Sequence, residues 1–340
     1  MRPKCVLTVN GAPVAGVFWE KLIRLSVHDH AGGKADSLDC VLDDGPPLFL
    51  AIPRKGDLMQ CWLGYEDGPF DFMGSFRVHD VEAECWPWRL SIKAKSADLR
   101  EKAKQHRRRH WDGKSFGDVL TEMAGEEGLT PQIDPEIGGF KPDNAWMGQE
   151  NESNLHWGER WADKLGATIA RKNGKLICAK RGGGMTPGGA AMIPLVITPP
   201  QMIKNTCRVQ WGEREKHGKA GAEYHDTKSG KRKREDETSD PDSDAVYTTR
   251  HAVGGKSEAR KAARGRARFL RSGGVNTSVT IEGNPLVKAG AIMTYAGVRP
   301  QVDGVEFAIE TAIHSFSKQP SYRTEIRARG KDGADTTNDG

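Results

Sequence analysis

The chain has 340 residues, with 51 basic and 46 acidic side chains and a net charge of +5, which is close to balanced for this length. Proteins that bind nucleic acid usually carry a more one-sided charge. The hydrophobic content of 36% and the 40 glycines favour a turn-rich, mainly β protein of two or three domains over a helical bundle.

Hydrophobic runs and cysteines exclude several further classes. No stretch approaches the roughly 18 apolar residues of a membrane-spanning helix, and residues 1–6 lack the apolar core of a signal peptide. We therefore expect no membrane span and folding in the cytoplasm. The six cysteines are scattered, without a Cys-x-x-Cys pair or a grouping with histidine. We expect small buried side chains at these positions, and no metal or cofactor.

Residues 1–99 alternate apolar and polar side chains in short runs and predict strands throughout. Asn10-Gly11 is a dipeptide that accepts the positive φ of a tight hairpin turn. Several such strands favour a small barrel or sandwich as the first domain. The motif at 28–30, His-Asp-His, could be a fragment of a metal site, but no third ligand is in view. We interpret this motif as a solvated loop beside the following glycines.

A pattern that spans residues 54–94 returns at residues 287–328. Each copy has a Gly turn, a strand closed by a second Gly, and two further strands with apolar alternation. Two copies are too few for a solenoid, which needs about three repeats. The pattern therefore predicts two related small β-barrels with strands in the same order. Chance similarity of Gly-bounded strands is the alternative.

In residues 100–182 the spacing of the apolar side chains changes from two residues to about 3.6. This change predicts an α+β lobe after the first barrel. A helix is expected from Ser153, its N-cap, to Gly166 at its C-terminal exit. Trp157 and Trp161 lie four positions apart on this helix. We expect them to pack in the lobe core, since no convergent polar groups suggest a ligand pocket.

Residues 183–330 return to the strand pattern and predict the second barrel. It contains a charged excursion at 228–244, with five basic residues followed by six acidic ones. This composition indicates a disordered segment or a hairpin tip. A helix with a small apolar face and an arginine face is predicted at 257–272. Residues 331–340 form a polar tail.

Two basic segments leave a nucleic-acid-binding module as an alternative. They are residues 105–110 and the arginine face at 260–271, although charge runs more often stay solvated. An enzyme would need an acid–base pair or a nucleophile with partners. Glu150 and Glu152 lie close together, but they fit the start of a helix better than an acid–base pair. The sequence therefore predicts no catalytic residues.

Two stretches, at 149–184 and 281–329, carry distinctive motifs. The first stretch has a Gln, an acidic residue with Ser at a helix entry, an Arg in the helix, a Gly-Ala pair and an Arg-Gly pair. The second has a Gly-x-Pro, a further Gly, a His, an aromatic residue and a Thr. The residues are Gln149, Glu152, Ser153, Arg160, Gly166, Ala167, Arg181, Gly182, Gly283, Pro285, Gly290, His314, Tyr322 and Thr324. In these motifs the chain resembles the phage late control D family, the baseplate hub proteins of contractile phage tails.

The resemblance implies a fold like the base of the type VI secretion spike. This fold is α+β and mainly β, with two tube-type β-barrel domains and an inserted α+β lobe. It also implies a homotrimer in the virion tail baseplate, assembled in the host cytoplasm. Three chains with two similar barrels each present six similar units, so a threefold hub can dock on a sixfold tail tube.

The partners implied are the tail tube protein and a trimeric spike protein, with baseplate wedge and tape-measure proteins as further candidates. The role implied is structural, and a tail-associated cell-wall hydrolase is a second alternative. Open strand edges invite pairing, so we expect subunit contacts at strands with mixed faces. The candidate interface residues are Leu58, Gln60, Trp62, Ile292, Met293 and Tyr295.

Overall fold

The computed structural model describes residues 2–14, 16–97, 101–184, 192–212, 217–226, 229–250, 252–272, 274–318 and 321–331. The predicted polar tail therefore lies outside the described residues, except for Lys331. Residues 98–99, at the end of the first predicted domain, and Lys228, at the start of the charged excursion, lie outside them as well.

The first repeated unit consists of strands around a compact apolar core. Alternation along the strands turns Leu38, Cys40 and Leu42 inward, where they meet Leu25 and Leu90. A single helical turn interrupts the predicted all-strand segment. The elements are β1 (Pro3–Val9), β2 (Ala12–Pro13), α1 (Val17–Lys21), β3 (Leu22–His30), β4 (Ser37–Asp43), β5 (Leu58–Tyr65), β6 (Phe70–Cys85) and β7 (Trp88–Ser96).

The lobe that follows has a core of its own, built on aromatic side chains. Trp157 and Trp161 pack against Phe116, and Trp157 Nε1 donates a 2.8 Å hydrogen bond to the carbonyl of Gly148. The predicted core packing of both tryptophans is confirmed. The elements are α2 (Glu101–Lys104), β8 (His106–Asp112), α3 (Phe116–Glu127), β9 (Thr130–Ile133), α4 (Pro135–Gly138), β10 (Trp146–Ser153), α5 (Asn154–Lys164), β11 (Ala167–Lys172) and β12 (Lys175–Lys180).

The second repeated unit has a third core and is split in sequence by a small sheet and a helix. Ile197, Met293, Phe307 and Ile326 are buried in this core. The unit consists of β13 (Leu195–Ile197), a 3-10 turn (Pro199–Gln201), β14 (Arg208–Trp211), β18 (Val275–Glu282), β19 (Ile292–Tyr295), β20 (Phe307–Ser317) and β21 (Tyr322–Gly330). The segment between β14 and β18 contains β15 (Lys219–Asp226), β16 (Lys231–Thr238), β17 (Val246–Thr248) and α6 (Lys256–Ser272).

Within the charged excursion, residues 231–238 form the strand β16. Residues 231–238 pair with all eight residues of β15 in an antiparallel ladder, and α6 covers this sheet. The small face of α6 allows close approach, since Ala259 and Ala263 meet Ala222 in one buried cluster. The disordered interpretation is therefore wrong, because the alternating alanines of β15 supply the apolar face that composition alone did not reveal. The predicted helix at 257–272 is confirmed.

A single sheet of 13 strands runs through both repeated units. Its order is β14-β18-β21-β20-β3-β4-β7-β6-β5-β1-β2, with β19 attached to β20 and β13 attached to β19. Among the described residues this path is open and does not return to its first strand. The fold is mainly β with a separate α+β lobe, and the two units share main-chain pairing that the sequence pattern did not predict.

The two units repeat the same strand order. In the first unit β4, β7, β6 and β5 are neighbours in that order, with β3 beside β4. In the second unit β18, β21, β20 and β19 follow in that order, with β14 beside β18. Each middle strand has a bulge where it pairs with the next strand of its unit, between Val78 and Asp80 in β6 and between Ile309 and Thr311 in β20. The predicted common strand order is confirmed.

The glycine turns that begin the two copies make the same hydrogen bonds. Gly56 N donates to Val78 O at 2.8 Å, and Gly290 N donates to Ile309 O at 2.7 Å. The φ angles of the two glycines are 95° and 89°. Residues with a Cβ rarely adopt this conformation, so the glycines fix where each copy begins.

The strands predicted to offer open edges do not do so. β5 lies between β1 and β6, and β19 lies between β13 and β20. Ile292, Met293 and Tyr295 are buried in the core of the second unit. Within one chain these three side chains face that core, and an interface through them stays a prediction. The side chains of Leu58, Gln60 and Trp62 are half-buried, and a contact through this face stays a prediction.

Candidate functional site

The junction between the two repeated units is an antiparallel ladder between β3 and β20. It runs from Thr311 opposite His30 to Ser317 opposite Arg24. His30 Nδ1 lies 3.2 Å from Thr311 Oγ1, and Phe316 packs against the core of the first unit. Main-chain pairing and side-chain packing together join the two units into one continuous sheet.

A half-buried charge cluster ties the lobe to both units at this junction. The carboxylate of Asp29 in β3 pairs with Lys172 Nζ of the lobe and accepts a 2.7 Å hydrogen bond from Ala289 N of the second unit. The carboxylate of Asp36 lies 3.2 Å from the same Nζ. One lysine thus meets two carboxylates at the point where three parts of the chain come together.

Burial sets the charge state of this cluster. Burial raises the pKa of Asp36 to about 6, despite the nearby Lys172 ammonium. Burial acts to lower the pKa of Lys172, but the carboxylates of Asp29 and Asp36 outweigh it and raise that pKa above its ordinary value. The lysine therefore stays charged, while Asp36 takes up a proton near pH 6.

The His-Asp-His motif is part of this junction, and its interpretation as a solvated loop is wrong. All three residues lie in β3. His28 Nε2 is 3.5 Å from Asp39, and burial lowers the pKa of His30 to about 4. Within the described ranges, no three His, Cys, Asp or Glu side chains are grouped as metal ligands would be.

Gln149, the first residue of the matched motif, is fully buried at the meeting point of two strands and a helix. Its Oε1 accepts a 2.7 Å hydrogen bond from Arg109 Nε of β8. Its Nε2 donates to Glu152 O at 2.9 Å and to Asn154 Oδ1 at 3.1 Å. Both ends of the amide are satisfied, so this residue fixes β8 and β10 against the start of α5.

Glu152, Ser153 and Arg160 hold the N-terminal turn of α5. Arg160 Nε donates to Glu152 Oε2 at 3.1 Å, and its Nη2 donates to the carbonyl of Gly148 at 3.2 Å. Ser153 Oγ accepts a 3.1 Å hydrogen bond from His156 N and thereby caps the helix. The predicted N-cap is confirmed, and the Glu152 carboxylate is paired with Arg160.

The next motif residues lie where the lobe contacts α6. Gly166 has a φ of 68°, and a Cβ there would lie 3.2 Å from the Cα of Gly265 in α6. Arg181 Nη2 donates to Asp163 Oδ1 at 2.8 Å, and its guanidinium lies 5.4 Å from the ring centre of Phe269. These residues allow and hold a close contact between the lobe and the helix.

His314 is the centre of the C-terminal motif and is fully buried. Its Nε2 lies 3.1 Å from the carbonyl of Val287, and its Nδ1 lies 2.9 Å from the Tyr322 hydroxyl. Burial lowers the pKa of His314 to about 4. The ring is therefore neutral at pH 7, with Nε2 donating its proton and Nδ1 accepting from Tyr322. Thr324 Oγ1, 3.2 Å from Nδ1, completes the cluster.

Gly283 brings this cluster into contact with the first unit. A Cβ at this position would lie 2.1 Å from the ring of Tyr322, so only glycine leaves room for that ring. Tyr65 of the first unit donates a 2.8 Å hydrogen bond to the carbonyl of Gly283, and Pro285 is buried beside it. The motif thus contributes a second link between the two units.

The basic run at 105–110 is largely neutralised within the lobe. Arg107 Nη1 lies 2.8 Å from Glu126, and Arg109 pairs with the same carboxylate. Arg108 points outward and lies 3.9 Å from Glu150. Alternate residues of a strand face opposite sides, which separates the paired arginines from the exposed one. The run therefore does not form a continuous basic face.

The arginine face of α6 is also engaged within the chain. Arg264 Nε lies 3.4 Å from Glu237 of β16, and Arg271 Nη1 donates to the carbonyl of Thr238 at 2.7 Å. The acidic half of the charged excursion thus lies beside the arginines of the helix. Together with the partners of the 105–110 run, this pairing disfavours the nucleic-acid alternative.

Sequence reasoning missed a buried ion pair in the lobe. The Arg171 guanidinium donates to both carboxylate oxygens of Glu127, at 2.6 and 3.0 Å, and both side chains are almost fully buried. Asn154 Nδ2 donates to the same carboxylate at 3.3 Å. Each residue lies in a different element, so the linear sequence carried no signal for the pair.

The site thus consists of two like units joined in one sheet, with polar side chains that hold the segments together. The sequence model of the phage tail baseplate hub (GPD) family matches residues 72–320. The chain belongs to this family, and thus to the baseplate of the phage virion tail.

A curated relative supports this assignment. The chain is 30% identical over 198 residues to the probable baseplate hub protein of Escherichia phage 186. The match covers 58% of this chain and 50% of that protein, so the chain spans about half the length of the curated relatives it matches. Among the described residues, no helix is both long and apolar enough to cross a membrane.

Solved structures share the fold over nearly the whole chain. The tail protein of Neisseria meningitidis MC58 superposes with a TM-score of 0.69 at 14% identity, covering 99% of this chain and 98% of that one. An E. coli component of the type VI secretion system superposes with a TM-score of 0.55 at 11% identity, covering 96% and 77%. At these identities the likeness concerns the fold alone.

Proposed function

We propose that this chain is the structural hub of a contractile-tail baseplate. Three copies form an adaptor between a sixfold tail tube and a threefold spike. The observation that carries the proposal is the repeat: two units with the same strand order, the same bulge and the same glycine turn. A trimer of such chains offers six like units, which a single-unit subunit could supply only as a hexamer.

In this assembly the two units act as tube-type barrels around the lumen, and the lobe lies at the periphery. The tail tube protein contacts one end of the ring and a trimeric spike protein the other. Wedge and tape-measure proteins are further partners of the same assembly. The contacts of Asp29 and His314 keep the two units of one chain at a fixed angle, which a ring of six evenly spaced units requires.

Native mass spectrometry of the purified chain tests the proposal. We expect a species of three times the chain mass of 37.3 kDa. Electron microscopy of the same sample should show a ring of six similar densities around a channel. A chain that stays monomeric at micromolar concentration and binds DNA would contradict the hub and support the nucleic-acid alternative.

A further inference from the structure

Among the described residues, two of the open stretches of sheet edge are equivalent to the two strands that form the internal junction. The first is the second half of β6, which pairs with β7 on one side but meets no strand of the described chain on the other. The second is β14, the last strand of the sheet. By the repeat, β6 corresponds to β20 and β14 corresponds to β3.

The equivalence extends to single residues. Phe76 and Phe307 occupy the same position in the two middle strands, facing Met59 and Met293 in their units. The bulge lies at the same point in β6 and β20. Counting from Phe76 in β6 and from Phe307 in β20 therefore aligns Cys85 with Phe316.

The same counting aligns β14 with β3. Arg208 pairs with Ser278 of β18, as Ser26 pairs with Asp39 of β4. Arg208 therefore takes the position of Ser26, and Cys207, just before β14, takes that of Leu25.

The exposure of these residues indicates an absent neighbour. In β20, the inward-facing Ala312 and His314 are fully buried because β3 lies beside them. Their counterparts in β6 are Val81, which is half-buried, and Ala83, which is exposed. Cys85, next on the same side, is exposed as well. The inward side of β6 thus lacks the cover that its repeat partner has.

We propose that β6 of one copy pairs antiparallel with β14 of the next copy, in the register of the β3–β20 junction. Resting on the trimer proposed above, this pairing names the surface that closes the ring. It sets inward-facing residues opposite each other, and the resulting pairs are Val81 with Trp211, Ala83 with Val209, and Cys85 with Cys207.

The outward-facing residues match in charge. In this register Glu84 lies directly opposite Arg208, and Glu82 lies opposite Gln210. Asp80, Glu82 and Glu84 make this face of β6 acidic, and all three are exposed. Directly opposed residues of opposite charge favour strand pairing, whereas like charges oppose it. Apolar residues thus meet apolar ones, and the acidic edge meets an arginine.

The contact is head-to-tail and closes on itself. Each copy offers one β6 edge and one β14 edge, so every copy uses both in the same way. Heterologous contacts of this kind form a ring when the rotation closes. The internal junction and the contact between copies then have the same geometry, and both of these open edges are consumed.

The native cysteines test the register. Directly opposed residues of an antiparallel pair have Cα atoms about 4.5 to 5.5 Å apart, within the range that a disulfide spans. Diamide takes two electrons and two protons from two thiols and leaves one disulfide. We expect oxidation of the assembled protein to give covalently linked chains on a non-reducing gel, with peptide mapping that joins Cys85 of one chain to Cys207 of another.

Single substitutions serve as controls. Cys85→Ser changes an exposed side chain and should abolish the crosslink, whereas Cys5→Ser in β1 should leave it unchanged. A crosslink that persists in Cys207→Ser would contradict the register. A trimer by native mass spectrometry without the Cys85–Cys207 bond would overturn this inference and leave the proposed hub intact. A monomer would overturn both.

A charge exchange tests the same contact without oxidation. Glu84→Arg and Arg208→Glu each place like charges opposite one another and should raise the dissociation constant by about 2- to 5-fold per interface. The double variant restores an opposite-charge pair in every interface. Sedimentation should show weaker trimers for the single variants and recovery for the double. Single variants that assemble as well as the native chain, or a double variant without recovery, would refute the pairing.

Discussion

The Glu127–Arg171 pair gives a sharp test of how the lobe is held together. The exposed fractions of the Arg171 and Glu127 side chains are 3% and 0%, and the guanidinium makes two hydrogen bonds to the carboxylate. Arg171→Met would leave a buried carboxylate whose remaining described partner is Asn154. Removing one member of a buried pair costs about 3 to 5 kcal/mol. We expect a loss of that size in the free energy of unfolding.

Two further variants separate charge burial from packing. Glu127→Leu combined with Arg171→Met removes both charges at similar volume and should stay within about 1 kcal/mol of the native chain or exceed it, because burying ions is itself costly. Arg108→Met removes one member of an exposed pair, 83% and 69% exposed, and should cost less than about 1 kcal/mol.

Urea unfolding followed by tryptophan fluorescence measures these differences. Trp111, Trp157 and Trp161 lie in the lobe core, so the signal includes the region that is changed. The reasoning is refuted if Arg171→Met costs no more than Arg108→Met. It is also refuted if the double variant is as unstable as the single one, since the loss would then come from packing.

Three further outcomes are expected. Gly265→Ala places a Cβ 2.9 Å from the backbone N of Gly166 and should lower the free energy of unfolding by about 1 to 3 kcal/mol. Gly125→Ala in α3, with open space around it, should raise the free energy of unfolding by about 0.5 to 1 kcal/mol. Calorimetry would show melting temperatures that move in opposite directions. The pKa of His314 is about 4 in the fold and about 6.5 in the unfolded chain, so the stability from the neutral ring is complete above pH 6.5 and is lost as the pH falls towards 4. Urea midpoints should fall over that range, and less so in His314→Gln. The internally paired run at 105–110 predicts elution from heparin below about 200 mM salt, and retention beyond that would contradict it.

Local chemistry explains what the sequence could predict. The glycine turns at Gly56 and Gly290 need a positive φ, and the helix from Ser153 to Gly166 has a polar cap and a left-handed exit. Each of these requirements is met by residues close together in the chain. The repeat, the helix ends and the buried tryptophan seam were therefore predictable from pattern alone.

Long-range pairing explains most of what was missed. Alternation shows which side chains of a strand face inward, but not which strand lies beside it. The pairing of β3 with β20 joins His30 to Thr311, which are 281 positions apart, and no local signal marks it. For the same reason, the mixed faces of β5 and β19 suggest open edges, although both strands have a neighbour on each side. Asp29 and Lys172 were overlooked because their partner groups come from distant segments.

The ladder between β3 and β20 also decides how the protein carries mechanical load. Its seven residue pairs are loaded together by a force along the strands and one after another by a force that peels the strands apart. A push along the strands is therefore resisted by the whole ladder, and the two halves of the chain move as one body. Torque applied to one unit would therefore reach the other through these main-chain hydrogen bonds.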